Sequence, residues 1–392
     1  MPHAQDPKRW DVICRVVDHL GDAGVCLRLA RALAASPRHA VRLLADQPET
    51  VLALIQPRPV GDARTGWLDR SGVRIADWGK PLGPADEPLA DVVVETFGGG
   101  LPPGLRETLL AARATGHTAP LWVNLEHLSA EDWVEGCHTL PSPQAGGLTR
   151  WFLFPGFSER TAGLCGPADL APRLPPSLAA LLAAASDEAS ERRTALVGRP
   201  PLTGSLFCYR DSPLPALLAA MQHGPRQVRL LVPADMPGAL GGRPLGAAPG
   251  AIWRGGQLSL VRVPFLDQDV YDALLAACDL NLVRGEDSFV RAQWAARPLL
   301  WAAYRQDADA HRAKVEAWLQ RCAMPPAWAA LQRWFNGGAA DAADPTALWA
   351  AALAEFDAAH SWASGWRERL LGLPRLERAL VEFALRHASP LQ

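Results

Sequence analysis

The chain has 392 residues, of which 49% are apolar and 20% charged, and its formal net charge is −2. That length exceeds what one hydrophobic core usually supports, so two domains of roughly 150 to 200 residues are expected, and the apolar content argues against disorder. The near-neutral charge offers no basic footprint for nucleic acid or an anionic membrane, no apolar run reaches spanning length, and the start MPHAQDPKRW lacks the pattern of a secretory signal.

In chain order, strand-like runs alternate with alanine- and leucine-rich helical stretches, the sign of parallel sheets covered by helices. The first half reads as one α/β domain with strands at WDVICRVV, AVRLLA, DVVVETF, APLWVNL and RWFLFP. ETFGGGLPPG, Glu95 to Gly104, reads as a turn between its strand and the next helix, or as a lining of the ligand cleft. The stretch from Leu170 to Leu202, rich in proline, alanine and charge, reads as a linker carrying a helix. A second α/β domain follows, with strands at SLFCYR, VRLLVPA, LSLVRVPF, LNLVRG and PLLWAAY, and helical runs at PLPALLAAM and VYDALLAAC. Beyond Tyr304 the chain is helical in character, ending in WRERLLGLPRLERALVEFALRHA. Seven scattered cysteines without a close CxxC pair fit reduced, buried thiols in a cytoplasm.

Two doubly wound domains bind ligands beyond the carboxyl ends of their strands, so chemistry is sought just after strands. VVDHLGDAGVCLRLARALA, Val16 to Ala34, is such a place. It has Gly21 and Gly24 but not the GxGxxG of a dinucleotide cradle, and Asp18 and Asp22 would repel a pyrophosphate. These aspartates read either as a cap (Asp22) with a turn holder (Asp18), or as carboxylates serving a general base or a cationic acceptor. In the second half, Gln268 and Tyr271 lie three apart at a helix start, where one can bond a base edge and the other stack on its face; Phe207 or Tyr209 can close the other side. Glu286, Asp287 and Ser288 follow the strand LNLVRG directly. Asp287 or Ser288 reads as an N-cap, and the same helix start offers amides to a diphosphate, with Glu286 placed to accept from a sugar hydroxyl. Arg284 beside Glu286 reads as an ion-pair partner or a phosphate contact. His127, Cys137 and His138 match no standard zinc spacing, and no metal is expected; their segment reads as an acceptor-facing loop with Trp133 packed underneath, or as a simple folded loop.

WDVICRVVDHLGDAGVCLRLARAL, WVNLEHLSAEDWVEGCHTLPSPQ, RWFLFPGF, VPFLDQDVYDALLAACDLNLVRGEDSFVRAQWA and the final helical segment together resemble the EarP family, bacterial protein-arginine rhamnosyltransferases of elongation factor P. The resemblance runs from about Trp10 to the C-terminus. It implies a GT-B glycosyltransferase of two Rossmann-like domains with an interdomain cleft: an acceptor-binding domain over 1–172 completed by a C-terminal helix at about 370–392, a linker over 173–202, and a nucleotide-sugar domain over 203–369. It implies a cytoplasmic enzyme of translation that uses dTDP-β-L-rhamnose, no cofactor and no metal, and inverts the anomeric carbon as it joins rhamnose to one arginine of elongation factor P.

Carried over by residue, the resemblance makes Asp18, Asp22 and Glu286 catalytic. It places Phe207, Tyr209, Gln268, Tyr271, Glu286, Asp287 and Ser288 on the donor, with Phe207 and Tyr271 as a thymine sandwich. Tyr271 departs from the phenylalanine common at that place, and its hydroxyl needs a partner. Alternatives are a GT-B enzyme with a small-molecule or glycan acceptor, and a non-catalytic relative. A dehydrogenase is disfavoured by the missing glycine fingerprint.

Overall fold

A computed structural model describes residues 7–55, 58–59, 66–79, 89–114, 119–167, 173–184, 200–234, 236, 240–305, 309–337 and 343–387. In chain order these form β1 (Lys8–Cys14), α1 (Leu20–Ala34), β2 (His39–Ala45), α2 (Pro48–Ala53), β3 (Arg58–Pro59), β4 (Trp67–Leu68), β5 (Arg74–Asp77), β6 (Val92–Thr96), α3 (Leu105–Ala114), β7 (Leu121–Leu125), α4 (Trp133–Cys137), β8 (Pro141–Pro143) and β9 (Thr149–Leu153). There follow α5 (Pro176–Ala184), β10 (Leu202–Leu206), α6 (Leu214–His223), β11 (Val228–Pro233), β12 (Ile252–Gly255), β13 (Leu258–Val263), α7 (Gln268–Ala277), β14 (Leu280–Arg284), α8 (Asp287–Trp294) and β15 (Leu299–Ala302). The remainder is helical: α9 (Ala310–Cys322), α10 (Pro326–Phe335), α11 (Pro345–Ala354), α12 (Phe356–Leu371) and α13 (Leu376–His387). The chain divides into two compact units, Met1–Ala168 with Gly372–Gln392, and Asp169–Leu371.

In the first unit the sheet order is β3-β4-β5-β2-β1-β6-β7-β9-β8. The six strands from β5 to β9 run parallel, and the short β3, β4 and β8 pair antiparallel at the margins. Strand β1 is buried on both faces, as a central parallel strand must be. Trp10, Val12 and Cys14 join α1 in one core cluster, and Ile13 joins Val93, Leu105 and Trp122 in another. The buried part of β1 admits one charge, Asp11, which faces Arg42 across the β1–β2 register and is paired by it through two 2.7 Å bonds. The C-terminal helix α13 brings Leu376, Leu380, Phe383 and Ala384 into the α1 cluster, so the end of the sequence completes the first core.

The second unit has the order β12-β13-β11-β10-β14-β15, parallel except for β12. Its central register sets Ser205 beside Asn281, whose side chains bond at 2.7 Å, and Asn281 Nδ2 donates to the Leu275 carbonyl near the end of α7. Helix α5 lies in the stretch expected to be a linker, yet its Leu178 packs with Leu231, Val261 and Leu274 and so belongs to this core. Most of the remaining linker, 185–199, lies outside the described residues, as does the expected boundary at 172.

In both units the chain steps from the first strand to one side and later returns to the other, so β1 and β6, and likewise β10 and β14, are neighbours at a topological switch point. Helices α1 and α8, which follow β1 and β14, are aimed from those points. Among the described residues no helix is long and apolar enough to cross a membrane.

Candidate active site

The first switch point is built around a carboxylate. Strand β1 stops at Cys14, short of the WDVICRVV run, because side chains take the next amides: Val16 N–H donates to Asp46 Oδ1 at 2.9 Å, and Val17 and Asp18 N–H both donate to Asp22 Oδ2 at 2.8 Å. Asp22 is the third residue of α1 and only 6% exposed, so it reaches back over the turn instead of capping the helix, contrary to the cap expected for it. Two amides and the positive end of the helix dipole hold its charge. The turn is tight: His19 adopts φ 36°, an unfavourable conformation for a side-chain-bearing residue, and a Cβ on Gly21 would meet Asp18 Oδ2 at 2.6 Å. Glycine at 21 therefore makes room for the Asp18 carboxylate.

The adjacent loop after β6 is pinned by two buried polar side chains that the sequence pattern did not single out. Glu95, 1% exposed, accepts from the Gly100 amide at 2.9 Å on one oxygen and from Trp122 Nε1 at 2.9 Å on the other. Asn124, 0% exposed, accepts from the Gly98 amide at 3.0 Å and donates to Glu126 Oε1 at 2.6 Å. Phe97, at φ 58°, stacks on His127 at 4.2 Å and 5°, and Arg15 Nη1 donates to the Gly99 carbonyl. His127 and His138 thus have structural partners; His138 Nδ1 accepts from the Phe154 amide, and burial together with Arg386 lowers its pKa. Trp133 is not packed underneath its segment: it is 54% exposed, with its ring edge-on to Phe154.

In the second unit β10 ends at Leu206, so Phe207, Cys208 and Tyr209 lie in the loop beyond it and not within a SLFCYR strand. The Phe207 amide still donates to the Leu282 carbonyl at 2.9 Å, which ties this loop to β14. Phe207 and Tyr271 meet edge to face, at 6.2 Å and 68°, so the parallel slot expected of a sandwich is not formed. The Arg284 guanidinium sits 4.3 Å from the Phe207 ring and 4.8 Å from that of Tyr209, which in turn meets Tyr304 edge-on at 5.6 Å. Burial pushes the Cys208 thiol up to about 12, which makes it inert packing.

Helix α8 presents its start to the same neighbourhood. Gly285 turns the chain at φ 62°, and its carbonyl accepts from Trp301 Nε1 at 2.8 Å. Glu286 occupies the N-cap position with no side-chain cap, and Asp287 and Ser288 are the first two helical residues, so neither is the cap expected of it. Gln268, 3% exposed at the start of α7, extends Nε2 to 3.5 Å from Asp287 Oδ2, while Asp267 caps α7 by accepting from the Val270 amide. Stacking of Phe289 on Trp301 at 3.9 Å, and bonds from Trp318 and Trp366 Nε1 to Gln293 Oε1, fix the helix from behind. A helix start fixed in this way, with no cap bond from the Glu286 side chain, is suited to binding an anion.

The sequence profile described as Elongation-Factor P (EF-P) rhamnosyltransferase EarP matches residues 10–385. The chain belongs to the EarP family. Its relatives include the protein-arginine rhamnosyltransferase of Pseudomonas aeruginosa, 44% identical over 324 residues with 81% of this chain and 83% of the relative covered. That of Pseudomonas putida is 37% identical over 401 residues, covering 95% and 98%. Among solved structures, one that gives the basis of EarP-mediated arginine glycosylation of translation elongation factor EF-P is 27% identical, with a TM-score of 0.55 and 97% and 99% of the two chains covered. The spinosyn rhamnosyltransferase SpnG complexed with thymidine diphosphate is 12% identical, with a TM-score of 0.53 over 96% and 99%, a likeness of fold alone. The architecture is that of GT-B glycosyltransferases, as the sequence resemblance implies.

Proposed function

We propose that this protein transfers rhamnose from dTDP-β-L-rhamnose to one arginine side chain of elongation factor P, with inversion and without a metal. The observation that carries the reading is the family match along residues 10–385, joined to a buried carboxylate at the first switch point and a rigid, uncapped helix start at the second.

A protonated guanidinium has no lone pair ready to attack. Moving its proton in a separate step to an ordinary carboxylate spans about 9 pKa units, or about 12 kcal/mol, which disfavours prior deprotonation. Asp22 instead orients the guanidinium and accepts its proton as the nitrogen attacks. Both turn amides bond Oδ2, so Oδ1 is the oxygen that faces this task. Asp18, seated against Gly21, supports the same geometry.

The nitrogen forms its bond to the anomeric carbon as the bond to the dTDP oxygen breaks. A single displacement through an oxocarbenium-like carbon inverts the centre. The leaving diphosphate takes the electron pair, and the first amides of α8 and the helix dipole stabilise it. Glu286 accepts from a sugar hydroxyl, and Gln268, Phe207, Tyr209 and Tyr271 hold the nucleotide.

The test is intact-mass analysis of elongation factor P incubated with the protein and dTDP-rhamnose. The acceptor should gain one deoxyhexose, on arginine, with the same yield in excess chelator. No gain on this acceptor, with gain on a small-molecule or glycan acceptor, would replace the acceptor assignment; a chelator-sensitive yield would replace the metal-free one.

A further inference from the structure

We infer that the Tyr271 hydroxyl is a positioning group for the phosphates of the bound nucleotide and acts through the Ser288 side chain. This rests on the donor-site reading above and adds to it a residue whose hydroxyl serves the diphosphate while its ring lies by the base.

The starting observation is a buried polar atom whose bonding is incomplete. The Tyr271 hydroxyl oxygen is shut off from solvent and makes no well-formed hydrogen bond, although the Ser288 side chain lies close enough to interact with it. Buried hydroxyls are ordinarily paired, and an orphan one weakens a fold. The ring cannot swing out to relieve it, because it packs against the α5, β13 and α7 cluster and lies edge-on to Phe207. Burial, opposed by the Ser288 side chain and reinforced by Asp287 and Asp272, keeps the phenol protonated, so it retains a proton to donate.

Ser288 is the polar side chain beside it. It is the second residue of α8 and 9% exposed. A serine hydroxyl donates one bond and accepts two. When Ser288 donates its proton to a phosphate oxygen at the helix start, its lone pairs turn to the phenol and accept from Tyr271. The result is a relay, Tyr271 O–H to Ser288 O–H to phosphate, in which each bond polarises the next. A donor without a well-formed bond before binding thus becomes a fully paired one after it. A phenylalanine at 271 would keep the ring contacts and lose the relay.

Calorimetric titration of the intact protein with dTDP and with thymidine tests this, using wild type, Tyr271→Phe, Ser288→Ala and the double variant. Loss of one relay bond in Tyr271→Phe should weaken dTDP binding about five- to tenfold, and loss of both in Ser288→Ala at least as much. The double variant should be no weaker than Ser288→Ala, since both changes break one chain. Thymidine should bind wild type and Tyr271→Phe alike, and the unliganded Tyr271→Phe protein should unfold at the same temperature as wild type or higher. Unchanged dTDP affinity in Tyr271→Phe, an equal loss for thymidine, or additive losses in the double variant would each overturn the relay while leaving the donor reading intact. Failure of wild type to bind dTDP would overturn the donor reading and the relay with it.

Discussion

Replacing Asp22 with asparagine separates the two services of one carboxylate. The native acid accepts two 2.8 Å amide bonds on a single oxygen and is 6% exposed. Asparagine keeps a carbonyl oxygen for the same amides, so the turn loses only the charge on those bonds, about 1 to 2 kcal/mol in all. For a unit of this size that lowers the unfolding midpoint by about 3 to 8 °C. The chemistry loses more, because an amide cannot take the proton and turns a donor toward a cation. Removing a positioned base slows transfer by about 10²- to 10⁴-fold, equivalent to about 3 to 5 kcal/mol. Initial rates by intact mass, at saturating donor and acceptor, are compared with thermal unfolding of the same preparations. A variant that keeps more than about a tenth of the wild-type rate, or whose rate falls only in proportion to the folded fraction, would refute the assignment of the proton to Asp22.

Gly21→Ala should leave stability nearly unchanged, since alanine favours a helix start at least as well, yet its Cβ would fall 2.6 Å from Asp18 Oδ2 and displace that carboxylate; transfer should drop while the unfolding midpoint holds. Asp69 supplies a pH test. Burial alone would raise its carboxyl, but the Arg31 pair and the Ser71 bonds outweigh it and hold the pKa at about 2, against 3.8 ordinarily. A carboxylate depressed in the folded state stabilises above about pH 4 and loses that contribution, about 2 kcal/mol, as pH falls toward about 2. Asp69→Asn should therefore flatten this part of the acid-unfolding curve, and an unchanged curve would contradict the pairing. Gln293→Leu leaves the indole N–H groups of Trp318 and Trp366 buried without their acceptor, which should destabilise by about 2 to 4 kcal/mol and weaken dTDP binding as α8 loosens. Chemical denaturation and calorimetry measure the two effects.

Much of this architecture is legible in the chain itself. Nine of the ten strands read from WDVICRVV to PLLWAAY exist close to where the pattern places them, because central parallel strands bury both faces and favour apolar runs of β-branched and aliphatic residues; the tenth, SLFCYR, overlaps its strand only at Ser205 and Leu206. The strands not foreseen, β3, β4, β5, β8 and β12, have two to four residues and sit at or near sheet edges, too short for any period to show. The strand ends were misread for a related reason. Arg15 to Val17 and Phe207 to Tyr209 have strand-like side chains, but whether a backbone continues a ladder depends on what competes for its amides. At Val16 and Val17 that competitor is a pair of aspartates, one of them thirty residues away.

The candidate site divides along the same line. Asp18, Asp22, Gln268, Glu286 and Ser288 stand out because polar residues directly after apolar strands are rarely needed for packing, and a family pattern sets their spacing. Glu95 and Asn124 lie inside strands, and their burial is explained by tertiary partners: the turn amides of Gly100 and Gly98, Trp122 for Glu95 and Glu126 for Asn124. Gln293 looks like an ordinary helix residue until two indoles from later helices converge on its oxygen.

From composition and order alone came the α/β class, the doubly wound units and the residue types at their strand ends, since these follow from local periodicity and short-range chemistry. Three-dimensional packing decided which atoms those residues spend on structure: the Asp22 oxygen given to two amides, the Phe207 face given to Arg284, and the Tyr271 hydroxyl left without a well-formed bond. Such contacts join residues distant in the chain, and their directions depend on how whole elements dock, information that no local pattern carries.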